Sequence, residues 1–162
     1  MKNKYKFTDK KFFPELNKEL WQIEAVIDFS NVSKGDKGGW IESEKNLSQT
    51  GNAWVSDNAR VYDNARVYGN SKVHGNARIS GNAEVSVDSE VIVMGKLGKN
   101  LRFITCFPDK NRKMQITCGC FLGGITEFEK AVREKYDNDP NSDYMLILPF
   151  LRKKELEWSK NK

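Results

Sequence analysis

Residues Gly51–Ile92 read GNAWVS, DNARVY, DNARVY, GNSKVH, GNARIS, GNAEVS and VDSEVI, seven consecutive hexads with nothing inserted between them. The fifth position is always β-branched: Val55, Val61, Val67, Val73, Ile79, Val85 and Val91. The third is always small: Ala53, Ala59, Ala65, Ser71, Ala77, Ala83 and Ser89. The second is Asn six times and then Asp88. Positions three and five lie two apart, so on a short strand both point to one face while positions four and six point to the other. Gly or Asp followed by Asn supplies turn chemistry that tolerates a positive φ. A helix is excluded, because the period is six and Gly or Asn recurs in every unit.

One such strand cannot bury itself. Three hexads, 18 residues, close one turn of a prism, and successive turns stack about 4.8 Å apart. This predicts ladders of Val55 on Val73 and Val91, Val61 on Ile79, and Val67 on Val85. Outside, one face is expected to carry Trp54, Lys72 and Glu90 beside His74, and a second Arg60 over Arg78 beside Tyr62 and Ser80. The third carries Arg66 over Glu84 beside Tyr68. The Arg60–Arg78 step is a like-charge pair, unfavourable unless something anionic sits there. Two looser units, GWIESE (39–44) and KNLSQT (45–50), extend the array upstream with Ile41 and Leu47 in the small position.

Read from the aliphatic residue, V-Y-D-N-A-R resembles the hexapeptide repeat of left-handed parallel β-helix proteins. The resemblance covers 42 residues, or 54 with the upstream units. It implies a mainly β fold, a short left-handed parallel β-helix of about three 18-residue coils with a small α+β C-terminal cap. The left hand is an implication of the family alone, since crossovers are otherwise right-handed. GGWIES before the hexads and CGCF after them also resemble uncharacterised bacteriophage and gut-bacterial proteins.

The flanks complete three regions. Residues 1–38 form an N-terminal strand and cap, in which Ile23, Ala25, Ile27 and Phe29 alternate inward. SKGDKGGW (33–40) reads as a glycine turn into the coils of 39–98. In 99–162, LRFITCF and MQITCGCF flank PDKNRK as a β-hairpin. Thr126 and Glu129 form a capping box that starts a helix running to about Tyr136. A further helical stretch, 143–158, is expected to restart at Pro149. This unit is expected to cover the open end of the stack.

Composition narrows the function. Of 162 residues, 38% are hydrophobic and 15 are asparagine, which suits a solenoid that needs two inward residues per hexad. Lys and Arg number 27 against 22 Asp and Glu, a net charge of +5. Much of the excess lies in Lys2, Lys4, Lys6, Lys10, Lys11, Arg152, Lys153, Lys154, Lys160 and Lys162, read as solubilising termini rather than a nucleic-acid groove. MKNKYKFTDK does not read as a secretory signal, and no apolar run approaches the roughly 20 residues that span a bilayer. A cytoplasmic protein without membrane contact is expected.

Cys106, Cys118, Cys120 and His74 could supply three sulfurs and a nitrogen to zinc. The C-x-C spacing instead favours thiols on the apolar face of the hairpin with Ile104 and Ile116. With one histidine, only His74 could serve Ser-His or Cys-His catalysis. Hexapeptide acyltransferases use a histidine near the coil and coenzyme A. Here His74 occupies an ordinary outward position, and no loop interrupts the hexads to build an acceptor pocket. The related γ-class carbonic anhydrases need three zinc-binding histidines.

No catalytic residue, metal or cofactor is therefore expected. The ligand-binding residues are Trp54, Arg60, Tyr62, Arg66, Tyr68, Lys72, His74 and Arg78, because guanidinium and aromatic planes suit phosphates and bases. The expectation is a non-catalytic, phage-type accessory protein. It would act as a homo-oligomer, a trimer by resemblance, and sequester an anionic small ligand such as a cyclic nucleotide immune signal in intersubunit clefts. Two alternatives are a scaffold that docks a host or virion protein and an acyltransferase using His74.

Overall fold

In the computed structural model the described residues are 3–87 and 90–160. Lys2 and Lys162 of the basic termini, and Asp88 and Ser89 of the seventh hexad, lie outside them. The chain is mainly β with two C-terminal helices.

The repeats form six two-residue strands: β4 (Trp54–Val55), β5 (Arg60–Val61), β6 (Arg66–Val67), β7 (Lys72–Val73), β8 (Arg78–Ile79) and β9 (Glu84–Val85). They pair in parallel across 18 residues: Val55 with Val73, Val61 with Ile79 and Val67 with Val85. These are the ladders predicted from the period. The β-branched residues and the alanines beneath them are almost wholly buried in one cluster. Ser71, the serine in the small position, is equally buried, and its hydroxyl donates to the carbonyls of Tyr68 (2.8 Å) and Val85 (3.2 Å). First positions take the left-handed conformation whether glycine or aspartate, with φ of 66° at Gly69 and 55° at Asp57.

Two expectations about the ends of the array are corrected. Ile41 and Leu47 occupy the aliphatic position, not the small one: Ile41 pairs with Val61 and Leu47 with Val67, each 20 residues on. The corner between Leu47 and Val55 holds two extra residues, which shifts the frame. At the other end, among the described residues, Val91 adds no rung to the Val55–Val73 ladder. Val91 packs against the core, but Ile92 already starts β10 (Ile92–Leu97) of another sheet, and Glu90 is buried and paired with Arg112.

Upstream, β1 (Tyr5–Phe13) and β2 (Lys18–Ala25) form an antiparallel hairpin. With β3 (Lys37–Ile41) they join β5 and β8 in one five-stranded sheet. The inward alternation stops at Ala25, and Ile27 and Phe29 lie beyond the strand. Gly38 and Gly39 are strand residues rather than a turn. A Cβ on Gly39 would lie 2.7 Å from the Ala59 carbonyl oxygen, so glycine here permits close approach of β3 to the next rung. Lys4, expected to be solvated, is buried, and its Nζ donates to the Ala53 carbonyl at 2.7 Å.

Downstream, β10, β11 (Arg102–Pro108), β12 (Met114–Cys118) and β13 (Phe121–Gly124) form an antiparallel meander that contains the expected hairpin. Its alternation serves two cores. Phe107 joins the cluster of the repeats, whereas Ile104 and Cys106 face the helices. On the repeat side, the Thr105 hydroxyl accepts from the Arg78 N–H (3.0 Å) and the Thr117 hydroxyl donates to the Arg78 carbonyl (2.9 Å). The edge of β8 is thereby satisfied by side chains.

Helix α1 (Ile125–Tyr136) starts one residue before Thr126, with Gly124 as N-cap, so no capping box forms there. Glu129 instead binds Arg133 and Arg152. Helix α2 (Asp143–Lys160) runs through Pro149 without a restart. Among the described residues no helix is long and apolar enough to cross a membrane.

Candidate functional site

The parallel register places Arg60 beside Arg78 on the shared sheet, and Trp40 beside Arg60 one strand upstream. Phe13 packs edge-on against Trp40, with ring centroids 5.3 Å apart. The Arg60 guanidinium lies 4.1 Å from the centre of the Phe13 ring, a cation–π arrangement. The like-charge step is resolved within the chain. Glu15, in the connection between β1 and β2, hydrogen-bonds Arg60, and its Oε1 lies 3.5 Å from Arg78 Nη2. Its carboxyl is held below the usual carboxylate range, first by a backbone hydrogen bond within its own residue and then by Arg60 and Arg78.

Beside this pair a polar groove of about 340 Å³ opens at the junction of the repeats with the C-terminal sheet. Arg60, Arg78 and Arg102 line it, together with Asn58, Asn76 and Asn100. Of these three arginines, Arg60 and Arg78 share the Glu15 carboxylate. The amides sharpen the contrast. At the other two corners they pair along the stack, Asn52 with Asn70 (3.1 Å) and Asn64 with Asn82 (3.5 Å). Among the described residues, the side chains of Asn58, Asn76 and Asn100 have no hydrogen bond, and Arg102 has no ion pair. The groove therefore presents unpaired donors and a net positive charge, which suits a multivalent oxyanion.

Arg102 was not among the expected ligands, because it belongs to the hairpin and not to the repeats. In space it lies against the CGCF turn. Gly119 takes φ 62°, and a Cβ there would lie 2.5 Å from Arg102 Nη1, so a side chain at this position would push the guanidinium aside. The glycine between Cys118 and Cys120 lets the guanidinium lie across the turn.

The other expected residues do not converge on this groove. Trp54 is buried rather than exposed, and packs edge-on against Phe29 at 5.4 Å. Tyr62 is half-buried beneath Lys18, whose Nζ bridges Glu42 and Asp63 at 2.9 Å each. Burial raises the Tyr62 phenol above its ordinary range. Arg66 forms the expected pair with Glu84, at 3.8 Å, and lies 5.9 Å over Tyr68 on a separate, exposed face. Lys72 Nζ donates to Asn31 Oδ1 at 2.5 Å. His74 is exposed, and among the described residues its ring has no hydrogen-bond or charged partner.

The thiols separate. Cys106 and Cys118 are buried with Ile104 and Ile116, while Cys120 is exposed on the turn and not on the shared apolar face. Burial pushes the Cys106 thiol up to about 12 and raises Cys118. Among the described residues, no group of three or more His, Cys, Asp or Glu is placed to hold a metal ion.

No family model matches the chain. Over 38 residues it is 50% identical to a protein of Escherichia coli (strain K12) described as the uncharacterized acetyltransferase YdcK. That stretch is 24% of this chain and 12% of the other protein. The chain is thus similar, over a short segment, to part of a much longer acetyltransferase.

Proposed function

We propose that the protein is a binding module, a short left-handed parallel β-helix whose C-terminal sheet completes a groove for an anionic, nucleotide-like ligand. The reading rests on one observation: Arg60, Arg78 and Arg102 line a groove whose only carboxylate partner among the described residues is Glu15. Arginine forks match phosphate geometry. Ligand is held without turnover, consistent with sequestration. The exposed Arg66 and Tyr68 face is left for packing against further copies of the chain.

Isothermal titration calorimetry with mononucleotides, cyclic nucleotides and inorganic pyrophosphate tests this. The expected result is saturable binding that weakens with salt and drops about tenfold or more in Arg78→Glu. A chain that binds none of these anions overturns the reading.

The short match to an acetyltransferase supports a second reading, acyl transfer with His74 as the base. Transfer from acetyl-coenzyme A to an amine, abolished by His74→Ala, would establish it in place of the first.

A further inference from the structure

A second cavity, of about 690 Å³, lies between the C-terminal sheet and the two helices. Its size is that of pockets that enclose small organic ligands, about 300–1,000 Å³. Phe121, Phe128, Val132, Tyr136 and Tyr144 supply an apolar, aromatic wall. The Tyr136 and Tyr144 rings are stacked on each other at 5.3 Å with an interplanar angle of 21°, an aromatic pair within that wall. The rim is different in kind: Lys99, Lys135, Asp139, Asn141, Ser142 and Asp143 stand there. Asp143 accepts the Gly98 N–H at 2.7 Å, while the Asp139 carboxylate has no partner among the described residues. Tyr144 donates its hydroxyl to the Leu97 carbonyl at 3.2 Å. The cavity also holds Asn100 and Arg102, and both of these line the arginine groove as well.

We infer that the two cavities form one composite site: the aromatic pocket takes the planar, amine-bearing ring of a nucleotide whose phosphate lies in the arginine groove, with Arg102 at their shared wall. This rests on the anion-binding reading above and adds the ligand's second half. A purely apolar ligand would leave the charged groups of Asp139 and Arg102 unused. A bare inorganic anion would leave the aromatic wall unused. A base satisfies both, because its faces stack on aromatic rings, worth about 1–3 kcal/mol per base. Its exocyclic amine donates to carboxylate or amide oxygens on the rim. The buried Cys118 thiol only lines the floor. Burial holds it protonated, so no covalent step is implied.

The test compares adenosine monophosphate with inorganic pyrophosphate on the full chain, by calorimetry. Ala131, exposed on α1 and lining the pocket, is changed to Trp to fill it, and Asp139→Ala removes the rim acceptor. Both variants are expected to lose about tenfold or more in affinity for the nucleotide and to keep the pyrophosphate affinity of the wild type. Retained pyrophosphate binding also reports that the variants are folded. If Ala131→Trp and Asp139→Ala bind the nucleotide as the wild type does, the composite site is wrong and the groove stands alone. If wild type binds pyrophosphate as tightly as the nucleotide, the same follows. If it binds neither, the groove and the composite site both fall.

Discussion

The carboxylate of Glu15 is hydrogen-bonded to the guanidinium of Arg60, across 45 residues of chain. The sheet that displays arginines in register therefore carries its own anion, delivered by the β1–β2 connection. An external oxyanion must compete with it. Glu15→Gln is expected to raise pyrophosphate affinity several-fold, since removing a nearby negative charge strengthens the groove. The same variant has an acid signature. Glu15 titrates below its ordinary 4.5 in the folded chain. Its contribution to stability is complete above 4.5 and disappears as pH falls through the lower folded value. Denaturation midpoints followed from neutral to acid pH should fall less steeply in Glu15→Gln.

Phe107 ties the C-terminal sheet to the repeats. It is wholly buried among the valines of the stack although it belongs to β11. Phe107→Ala is expected to cost about 3–5 kcal/mol, read as a lowered urea midpoint. A loss well under 1 kcal/mol would mean that the sheet is not seated on the stack.

Lys4 gives a basic-side prediction. Burial lowers its pKa from 10.5 to about 8 in the folded chain. Below pH 8 both states hold the proton and the effect is constant. Between 8 and 10.5 the unfolded chain is still protonated where the folded chain is not, so Lys4 makes stability rise with pH. Wild type minus Lys4→Met, measured by denaturant unfolding at pH 8 and pH 10, should show that rise. A flat difference would place the ammonium in solvent.

Thiol reactivity separates the cysteines. Cys120 should react with a disulfide reagent in the native state, while Cys106 and Cys118 should react only on unfolding, because thiols held protonated by burial are poor nucleophiles. Native labelling of Cys106 would contradict the hairpin packing.

The hexads made the ladders legible because a period of six leaves little choice of which residues stack. Ile41 and Leu47 fall in the small position by counting, because two extra corner residues before Val55 break the period and nothing local marks them. Alternation put Trp54 outside. Phe29, arriving from beyond β2, covers it. Arg60 and Arg78 were legible as a charged step. Glu15 and Arg102, which complete the site, come from outside the repeat, and only tertiary contact joins them to it. Gly38 and Gly39 read as a turn from composition, because strand glycines that admit a neighbouring backbone have the same sequence signature.

The central claim is that Arg60, Arg78 and Arg102 act as one anion site. Arginine side-chain Nε–Hε resonances, followed by NMR during titration with inorganic pyrophosphate, test it most directly. Saturable shifts are expected at those three with a common binding constant, and none at Arg66 or Arg133. Shifts spread evenly over all arginines, or no saturable shift at Arg102, would contradict it.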